Sequence, residues 1–132
     1  MAKHKFINEY EIHASPKRLY SFLHTSGGLE QWFATKVEED NANKVYNFVW
    51  DNEDHFARLV THRTNKLVKF EFVSDDKEKI KNANYIEFRL EHNEMTDSTF
   101  LKVTDYSDMD NEEDLVGLWD GLIADLREVI GG

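Results

Sequence analysis

The sequence predicts an α+β domain in which a curved antiparallel sheet lies against one long C-terminal helix. Three observations predict this arrangement. Residues 115–130 repeat apolar side chains with helical periodicity, residues 36–103 alternate apolar and polar side chains, and turn residues separate the alternating segments. Because an apolar helix face must be covered by other apolar groups, we expect the concave face of the sheet to cover it.

The first predicted element is a half-buried strand over residues 5–13, where apolar and polar side chains alternate. Its inward face comprises Phe6, Asn8, Tyr10 and Ile12. One polar side chain, Asn8, is therefore expected among inward apolar ones. Burying it without a partner would cost free energy, so it needs a hydrogen-bond partner or a ligand.

Two short helices are predicted after this strand. Ser15 has the character of an N-cap and Pro16 fits the first helical position. The Thr-Ser-Gly-Gly segment over residues 25–28 is expected to end the first helix. The apolar residues within 29–33 are spaced i, i+3 and i+4, which predicts the second helix.

From residue 36 onward, five or six strands joined by short turns are predicted, which makes an antiparallel meander. The predicted turns and loop are residues 51–54, 65–66, 74–83 and 94–97. The predicted inward residues of these strands are Tyr46, Phe48, Trp50, Val68, Phe70, Phe72, Ile86, Phe88, Leu90, Leu101 and Val103. The strand over 55–63 is ambiguous, because either Phe56 and Val60 or Ala57 and Leu59 can form its inward face.

The long C-terminal helix follows the acidic segment 108–114. Its predicted apolar stripe comprises Leu115, Leu118, Trp119, Leu122, Leu126, Val129 and Ile130, with Ile123 at the edge. A single helix lying in a curved sheet can leave a hollow between the two. That hollow is the main functional lead that the sequence offers.

The composition restricts the function classes. A chain of 132 residues is expected to form one domain, over residues 1–132. Its 16 Lys and Arg against 26 Asp and Glu give a formal net charge of −10, so its surface is acidic. Such a surface repels phosphate groups, so nucleic-acid binding is not expected. No apolar run approaches the roughly 18 residues of a membrane span, so membrane insertion is not expected either. The chain has no cysteine, and its charged segment 1–7 contains no apolar run of signal-peptide length. We expect a cytoplasmic protein.

No metal site, cofactor motif or catalytic constellation is predicted. The segment that begins at Asp108 has the rhythm of a calcium loop, but position six is Glu113 where glycine is needed and position twelve is Trp119 where glutamate is needed. The six histidines show no helical i, i+4 pair, so we expect them at the surface.

Several segments together carry a resemblance to a known family. They are residues 15–20 (Ser-Pro-Lys-Arg-Leu-Tyr), 28–34 (Gly-Leu-Glu-Gln-Trp-Phe-Ala), 103–106 (Val-Thr-Asp-Tyr), and 117–122 (Gly-Leu-Trp-Asp-Gly-Leu) with Leu126. These segments span essentially the whole chain in order. They resemble the START-like or Bet v 1-like (SRPBCC) helix-grip superfamily. Within it, they are most similar to domains related to the activator of Hsp90 ATPase. One departure is residues 43–46, which contain no glycine where these relatives usually have one to open the middle strand.

The resemblance implies a helix-grip fold: about seven antiparallel strands wrapped around the long C-terminal helix, two short helices after the first strand, and a cavity between sheet and helix. Members of this superfamily bind lipids, sterols, hormones or polyketides, assist a chaperone, or perform cyclase-like chemistry. Because one fold hosts all these functions, the resemblance does not choose among them.

The leading hypothesis from the sequence is a non-enzymatic START-like domain that binds an apolar small molecule or lipid in this cavity. The candidate cavity residues are Asn8, Tyr10, Trp32, Phe33, Trp50, Arg58, Phe70, Phe72, Phe88, Trp119 and Leu122. Aromatic and aliphatic groups would hold the ligand, and Asn8 or Arg58, if it faces inward, would orient its polar end.

Two alternatives remain open at the level of the sequence. A protein-interaction module similar to the Hsp90-activator domains would have an interior filled by its own aromatic residues and would use its acidic surface to meet a basic partner. A cyclase-like or hydrolase-like enzyme would need a buried acid or base facing the hollow, and the sequence offers no obvious pair.

Overall fold

A computed structural model describes residues 3–131, so Met1, Ala2 and Gly132 lie outside the described residues. The elements within the described range are β1 (His4–Ile12), α1 (Pro16–His24), α2 (Ser26–Leu29), β2 (Lys36–Asp40), β3 (Val45–Trp50), β4 (Glu53–Arg63), β5 (Leu67–Phe72), β6 (Tyr85–Asn93), β7 (Ser98–Ser107) and α3 (Glu112–Ile130). This arrangement confirms the predicted α+β helix-grip fold.

The seven strands form one antiparallel sheet in the order β1-β7-β6-β5-β4-β3-β2. Strands β2 to β7 are a meander of neighbouring strands. The first strand, β1, pairs with β7, and α1 and α2 carry the chain from one edge of the sheet to the other. The face of the sheet that α3 covers is called the inner face below, and the opposite face is the outer face.

The start of α1 confirms the predicted cap. The Ser15 hydroxyl accepts a hydrogen bond from the backbone N–H of Arg18 at 3.1 Å, and Pro16 occupies the first helical turn. This helix buries Leu19 and Leu23 completely.

The second short helix differs from its prediction. The segment 25–28 ends α1 as predicted, because this helix stops at His24 with Thr25 as its C-cap. The second helix, predicted from the spacing within 29–33, instead comprises Ser26–Leu29. Thr25 caps α2, because its hydroxyl accepts from Gly28 N–H at 2.9 Å. The backbone of Gly28 lies so close to α1 that a Cβ there would meet the Ser21 carbonyl oxygen at 2.3 Å. Glycine at this position thus permits close packing of α1 and α2, in the same segment that ends α1.

The hairpin between β3 and β4 is shorter than predicted. Asp51 and Asn52 both have positive φ angles, 52° and 63°, and β4 begins directly afterwards at Glu53. The expected turn over residues 51–54 is therefore wrong for its second half. Two consecutive residues with positive φ are typical of tight hairpin turns that match the twist of the flanking strands.

The structure resolves the ambiguous face of β4. Ala57 is completely buried and lies opposite Tyr46 on the inner face, whereas Val60 is 42% exposed at a β-bulge between Leu59 and Thr61. Leu59 is half-buried and packs against the core. The inner face of this strand is therefore the one that contains Ala57 and Leu59.

The long helix α3 begins and ends with regular caps. The Asn111 side chain accepts from Asp114 N–H at 3.1 Å, and Gly131 ends the helix with a left-handed φ of 79°. Three acidic residues, 112–114, occupy the first turn, where negative charge is favoured by the helix dipole. The acidic segment thus has a structural role at the start of α3.

The buried face of α3 is rotated relative to the predicted stripe. Its buried residues are Leu115, Trp119, Ile123, Leu126 and Ile130. Ile123, predicted at the edge of the stripe, is completely buried, and Trp119 lies at the centre of the buried face. Leu118 and Val129 are instead 45% and 37% exposed. The sheet covers a narrower sector than the apolar stripe offers, so the residues on one side of the stripe remain outside the core.

Aromatic rings fill much of the space between α3 and the sheet. The Phe33 ring has its centroid 5.1 Å from that of Phe48 and 6.1 Å from that of Trp119, and Phe88 contacts both Phe33 and Trp119. None of the described helices is long and apolar enough to cross a membrane.

Candidate functional site

A cleft of about 650 Å³ lies at one end of the sheet, beneath the first half of α3. It is bounded by the turn between β3 and β4, the end of β5, the start of β6 and the end of β7. Its apolar walls are Phe33, Trp50, Phe72, Ile86, Trp119 and Leu122. The exposed residues Asp51, Asp75, Met109 and Leu118 form its rim. A volume of this size falls within the usual range for small-molecule sites.

The innermost polar group of the cleft is the carboxyl group of Asp105. It lies on the inner face of β7 between Phe6 of β1 and Ile86 of β6, and the residue is only 8% exposed. Its Oδ2 accepts a hydrogen bond from the indole Nε1–H of Trp119 at 2.9 Å. Both strand pairing and the helix therefore position this carboxyl group.

The environment of Asp105 changes its acidity. Burial raises the pKa of this carboxyl group above its ordinary value, because the charged form loses water. Hydrogen bonds from Trp119 and Ser107, and the charge of nearby His4, act in the opposite direction. Burial has the largest effect, so the proton is held more tightly than in an exposed aspartate.

A second polar group in the cleft is the side chain of Asn84, which directly precedes β6. Its Oδ1 is buried and has no hydrogen-bond partner among residues 3–131. A buried acceptor without a partner costs about 1–3 kcal/mol. Because the atom has almost no accessible surface, the Asn84 side chain must shift to bring this oxygen to a donor in the cleft.

His55 also lines the cleft, contrary to the expectation that the histidines lie at the surface. It lies opposite Phe48 on the inner face of the sheet, and its ring centroid is 5.0 Å from that of Trp50. Its Nδ1 lies 3.1 Å from the Glu53 carbonyl oxygen and 3.3 Å from that of Phe48. These backbone contacts orient the ring beside the indole of Trp50.

Five of the eleven candidate cavity residues line this cleft: Phe33, Trp50, Phe72, Trp119 and Leu122. Three others, Trp32, Phe70 and Phe88, belong to the closed core and are at most 4% exposed. The Trp32 indole N–H donates to the Phe22 carbonyl at 2.8 Å, so this side chain fastens α1 to the segment after α2. These three residues therefore belong to the core next to the cleft and do not line it.

Asn8 and Tyr10 face α3 elsewhere along its length. Asn8 Nδ2 donates to the Tyr10 hydroxyl at 3.1 Å, and that hydroxyl donates to Asp120 Oδ1 at 3.2 Å. Burial raises the pKa of Tyr10, and hydrogen bonding to Asn8 lowers it. The polar partner that Asn8 needs is thus supplied by the protein, and neither residue lines the cleft.

Arg58 does not face the interior. It lies opposite Val45 and Glu71 on the outer face, and its Nη2 donates to the Lys77 carbonyl at 3.1 Å. The expectation of an inward Arg58 is wrong because Ala57, its neighbour, takes the inner position in β4. The side chain consequently fastens the loop after β5 to the sheet.

The polar residues of the cleft were missed in the sequence, although a signal for two of them exists. The alternation that places Leu101 and Val103 inward continues to Asp105, and the alternation of Ile86 and Phe88 extends back to Asn84. A polar residue at an inward position is the usual sign of a functional or buried hydrogen-bonded group. Extending each alternation by one more inward position predicts Asp105 on β7 and Asn84 before β6.

The cleft offers no metal site. Among residues 3–131 no group of three or more His, Cys, Asp or Glu side chains could hold a metal ion. What the cleft offers is an apolar volume with hydrogen-bond acceptors at its inner end.

Comparison with known proteins supports the family assignment. A family model described as a START-like superfamily domain matches residues 1–132. The chain belongs to the START-like superfamily. No protein of curated function matches this START-like domain.

Solved structures share the fold of this START-like domain at low sequence identity. The Aha1 dimer from Colwellia psychrerythraea has a TM-score of 0.75 at 20% identity, with 96% of each chain covered. Protein MLL2253 from Mesorhizobium loti also has a TM-score of 0.75, at 14% identity and with 97% of each chain covered. CalU16 from Micromonospora echinospora has a TM-score of 0.69 at 17% identity, covering 97% of this chain and 74% of CalU16.

Proposed function

We propose that this START-like domain is a non-enzymatic binding protein that holds an apolar small molecule or lipid in the cleft beneath α3. The single observation that carries the proposal is the cleft itself: about 650 Å³ of space with aromatic walls and buried polar acceptors at its inner end. Small-molecule sites typically combine apolar walls with a few placed polar groups.

The walls of the cleft suit an apolar body. Trp50 and Phe72 line it from the sheet, and Trp119 and Leu122 line it from the helix. Trp119 is held by its hydrogen bond to Asp105, and the Trp50 indole N–H donates to the Phe33 carbonyl at 2.7 Å. Rigid aromatic walls provide contact area without requiring the side chains to become ordered on binding.

The experiment that tests the proposal is retention of small molecules from a cell extract, measured by native mass spectrometry. The test variant is Leu122→Trp, because a larger side chain at this half-buried position fills the cleft. The matched control is Val129→Trp, on an exposed site of the same helix that does not line the cleft.

We expect the wild-type protein and Val129→Trp to retain the same bound species and Leu122→Trp to lose it. Two results contradict the proposal. One is that the wild-type protein retains nothing, and the other is that Leu122→Trp retains as much as Val129→Trp.

A second candidate function is a protein-interaction module of the co-chaperone type. Its support is the fold shared with the Aha1 dimer, together with the apolar residues Val116, Leu118 and Val129, which are 37%, 45% and 37% exposed on α3. The net charge of −10 favours a basic partner. In this case the apolar residues on α3 would be covered by the partner.

The second candidate is tested by a pull-down at low and high salt. It predicts a specific partner that is released as salt rises, because screening weakens attraction between exposed charges. Glu113→Lys, at an exposed site in the first turn of α3, should weaken the capture. Absence of a specific partner at low salt contradicts this candidate and leaves the small-molecule proposal unaffected.

An enzymatic function would place Asp105 as the buried acid. The hydrogen bond from Trp119 already engages this carboxyl group, so we assign it the role of orienting a ligand. A hydrolytic activity on generic esters that is lost in Asp105→Asn, with ligand retention unchanged, would contradict this assignment.

A further inference from the structure

We propose that the cleft prefers a cationic ligand, an amine carried on an apolar body, with the ammonium group placed near Asp105 and Asn84. This inference rests on the proposed binding function and specifies its ligand class. It depends on the charge of the lining residues, on the kind of polar atom at the inner end of the cleft, and on the aromatic walls.

The charged residues that line the cleft have one sign. They are Asp51, Asp54, Asp75 and Asp105, and within the described part of the chain no lysine or arginine lines it. The lining also contains the imidazole of His55, whose Nδ1 faces the Glu53 and Phe48 carbonyl oxygens. The Asp54 carboxylate accepts a hydrogen bond from Asn47 Nδ2 at 3.0 Å and lies on the outer face, so it is engaged outside the cleft. Asp51 and Asp75 are at the rim, and Asp105 is at the inner end.

The sign of this charge discriminates between polar head groups. An anionic head group that entered the cleft would approach Asp105 and lose its hydration without gaining a cationic partner from the lining. An ammonium group would lose hydration too, but it would gain an ion pair with a carboxyl group that is only 8% exposed. The lining therefore favours the cation.

The inner polar atoms require a donor. The Asn84 Oδ1 is a buried acceptor without a partner among the described residues, and a carboxylate is an acceptor only. An ammonium group has three N–H donors and no acceptor, so it matches both oxygens. A hydroxyl group has one donor, and a carboxylate head group has none.

The walls fit the same ligand class. The rings of Trp50, Phe72 and Trp119 line the cleft, and the faces of aromatic rings attract cations as well as apolar groups. The net charge of −10 also raises the concentration of cations near the protein surface. The cleft therefore offers both an apolar volume for the body of the amine and a negative environment along its entry.

The test uses three probes with one ring system and different head groups: naphthylmethylamine, naphthylmethanol and naphthoate. Binding to the full chain is measured by isothermal titration calorimetry at neutral pH. We expect the amine to bind at least about tenfold more tightly than the alcohol, with the carboxylate weakest; tenfold corresponds to about 1.4 kcal/mol.

Two variants test whether Asp105 and Asn84 cause the preference for the amine. Asp105→Asn should reduce the affinity for the amine by about tenfold and leave the affinity for the alcohol within about twofold. Asn84→Ala should weaken the amine severalfold. The control is Asp125→Asn, which removes the same charge from an exposed site on α3 outside the cleft and should change neither affinity.

The outcomes separate this inference from the proposed function. If the amine and alcohol bind equally, or the carboxylate binds best, the cleft is a binding site and the inferred preference for cations is wrong. If the amine preference survives in Asp105→Asn, or if it disappears in Asp125→Asn, the inference is also wrong. If none of the probes binds and extracts yield no ligand, the proposed function itself fails. The comparison of the three probes on the wild-type protein stands even if a variant does not fold.

Discussion

The indole Nε1–H of Trp119 donates a hydrogen bond of 2.9 Å to the carboxyl group of Asp105, and the two residues are 1% and 8% exposed. This bond joins the long helix to strand β7 at the inner end of the cleft. Hydrogen bonds to ionised groups are stronger than neutral ones, and a buried acceptor that loses its donor is costly. This one contact therefore contributes both to the packing of α3 on the sheet and to the polarity of the cleft.

Replacing Trp119 by phenylalanine should lower the free energy of unfolding. Trp119→Phe keeps an aromatic ring but removes the N–H donor, so Asp105 loses a partner and the expected cost is about 1–3 kcal/mol. Urea denaturation followed by circular dichroism measures this change. The cost should grow as the pH rises, because the lost donor favours the ionised form of Asp105.

The control for this prediction is Trp32→Phe. It removes an indole N–H that donates to a neutral acceptor, the Phe22 carbonyl oxygen. Its cost should not follow the ionisation of a carboxyl group. Equal pH dependence of the two variants would show that the bond between Trp119 and Asp105 does not sense the charge of the carboxyl group.

The raised pKa of Asp105 predicts the pH dependence of its variant. Since the native protein holds this proton more tightly than the unfolded chain does, the contribution of Asp105 to stability is greatest below its ordinary pKa of 3.8 and declines as the pH rises through its native pKa. The amide that Asp105→Asn introduces is uncharged at every pH, and its oxygen can still accept from Trp119.

Asp105→Asn should therefore gain stability relative to the wild-type protein as the pH increases. Urea unfolding at several pH values above 3 measures the difference between the two proteins, and Asp125→Asn, at an exposed site, is the control for loss of one charge. A difference that does not change with pH for Asp105→Asn would contradict the assignment of a raised pKa.

Alanine substitutions at the two glycines before Leu29 should have opposite effects on stability. Gly28→Ala would place a Cβ at 2.3 Å from the Ser21 carbonyl oxygen and 2.7 Å from Phe22 Cα, so a loss of about 1–3 kcal/mol is expected. Gly27→Ala meets nothing within 4 Å in the same helix and should stabilise by up to about 1 kcal/mol. Thermal unfolding compares the two, and similar effects would show that α2 does not pack as described.

Because Asn84 Oδ1 has no partner among the described residues, removing it should stabilise the protein and weaken the binding of an amine. Asn84→Val removes a buried acceptor and should raise the free energy of unfolding by about 1 kcal/mol. The contrast is Asn47→Val, which loses one hydrogen bond to Asp54 and one from His55 N–H and should destabilise the protein. Urea denaturation of both variants tests this, and a destabilised Asn84→Val would show that its side chain is satisfied in solution.

Alternation and cap residues were sufficient to predict the architecture. The period of two placed Phe6, Tyr46, Phe88 and Val103 on the inner face, and all four are at most 3% exposed. These signals are local, because each depends on residues two to four positions apart in the chain. The short turns predicted the meander, and the family resemblance supplied the number of about seven strands. The pairing of β1 with β7 was not predicted, since it joins residues that are distant in the sequence.

The candidate site was less predictable because it depends on how elements meet. The cleft exists where α3 leaves the end of the sheet uncovered. Its position depends on which face of α3 is buried, and that face is rotated toward Ile123 relative to the stripe that helical periodicity predicted. Arg58 was misassigned because β4 has apolar residues on both faces. Phe70 and Phe88 were correctly predicted to face inward, but inward residues divide into core and cleft only once the helix is placed.

The most direct test of the central claim maps a bound probe by the methyl NMR signals of the protein. Neutral naphthylmethanol is titrated into the full chain, so the result does not depend on the charge of the ligand. We predict that the methyl signals of Ile86 and Leu122, which line the cleft, shift in a saturable way while those of Ile7 and Val129, which are 51% and 37% exposed elsewhere, do not. Shifts confined to Ile7 and Val129, or no saturable shift at Ile86 and Leu122, would contradict the claim that the cleft beneath α3 is a ligand site.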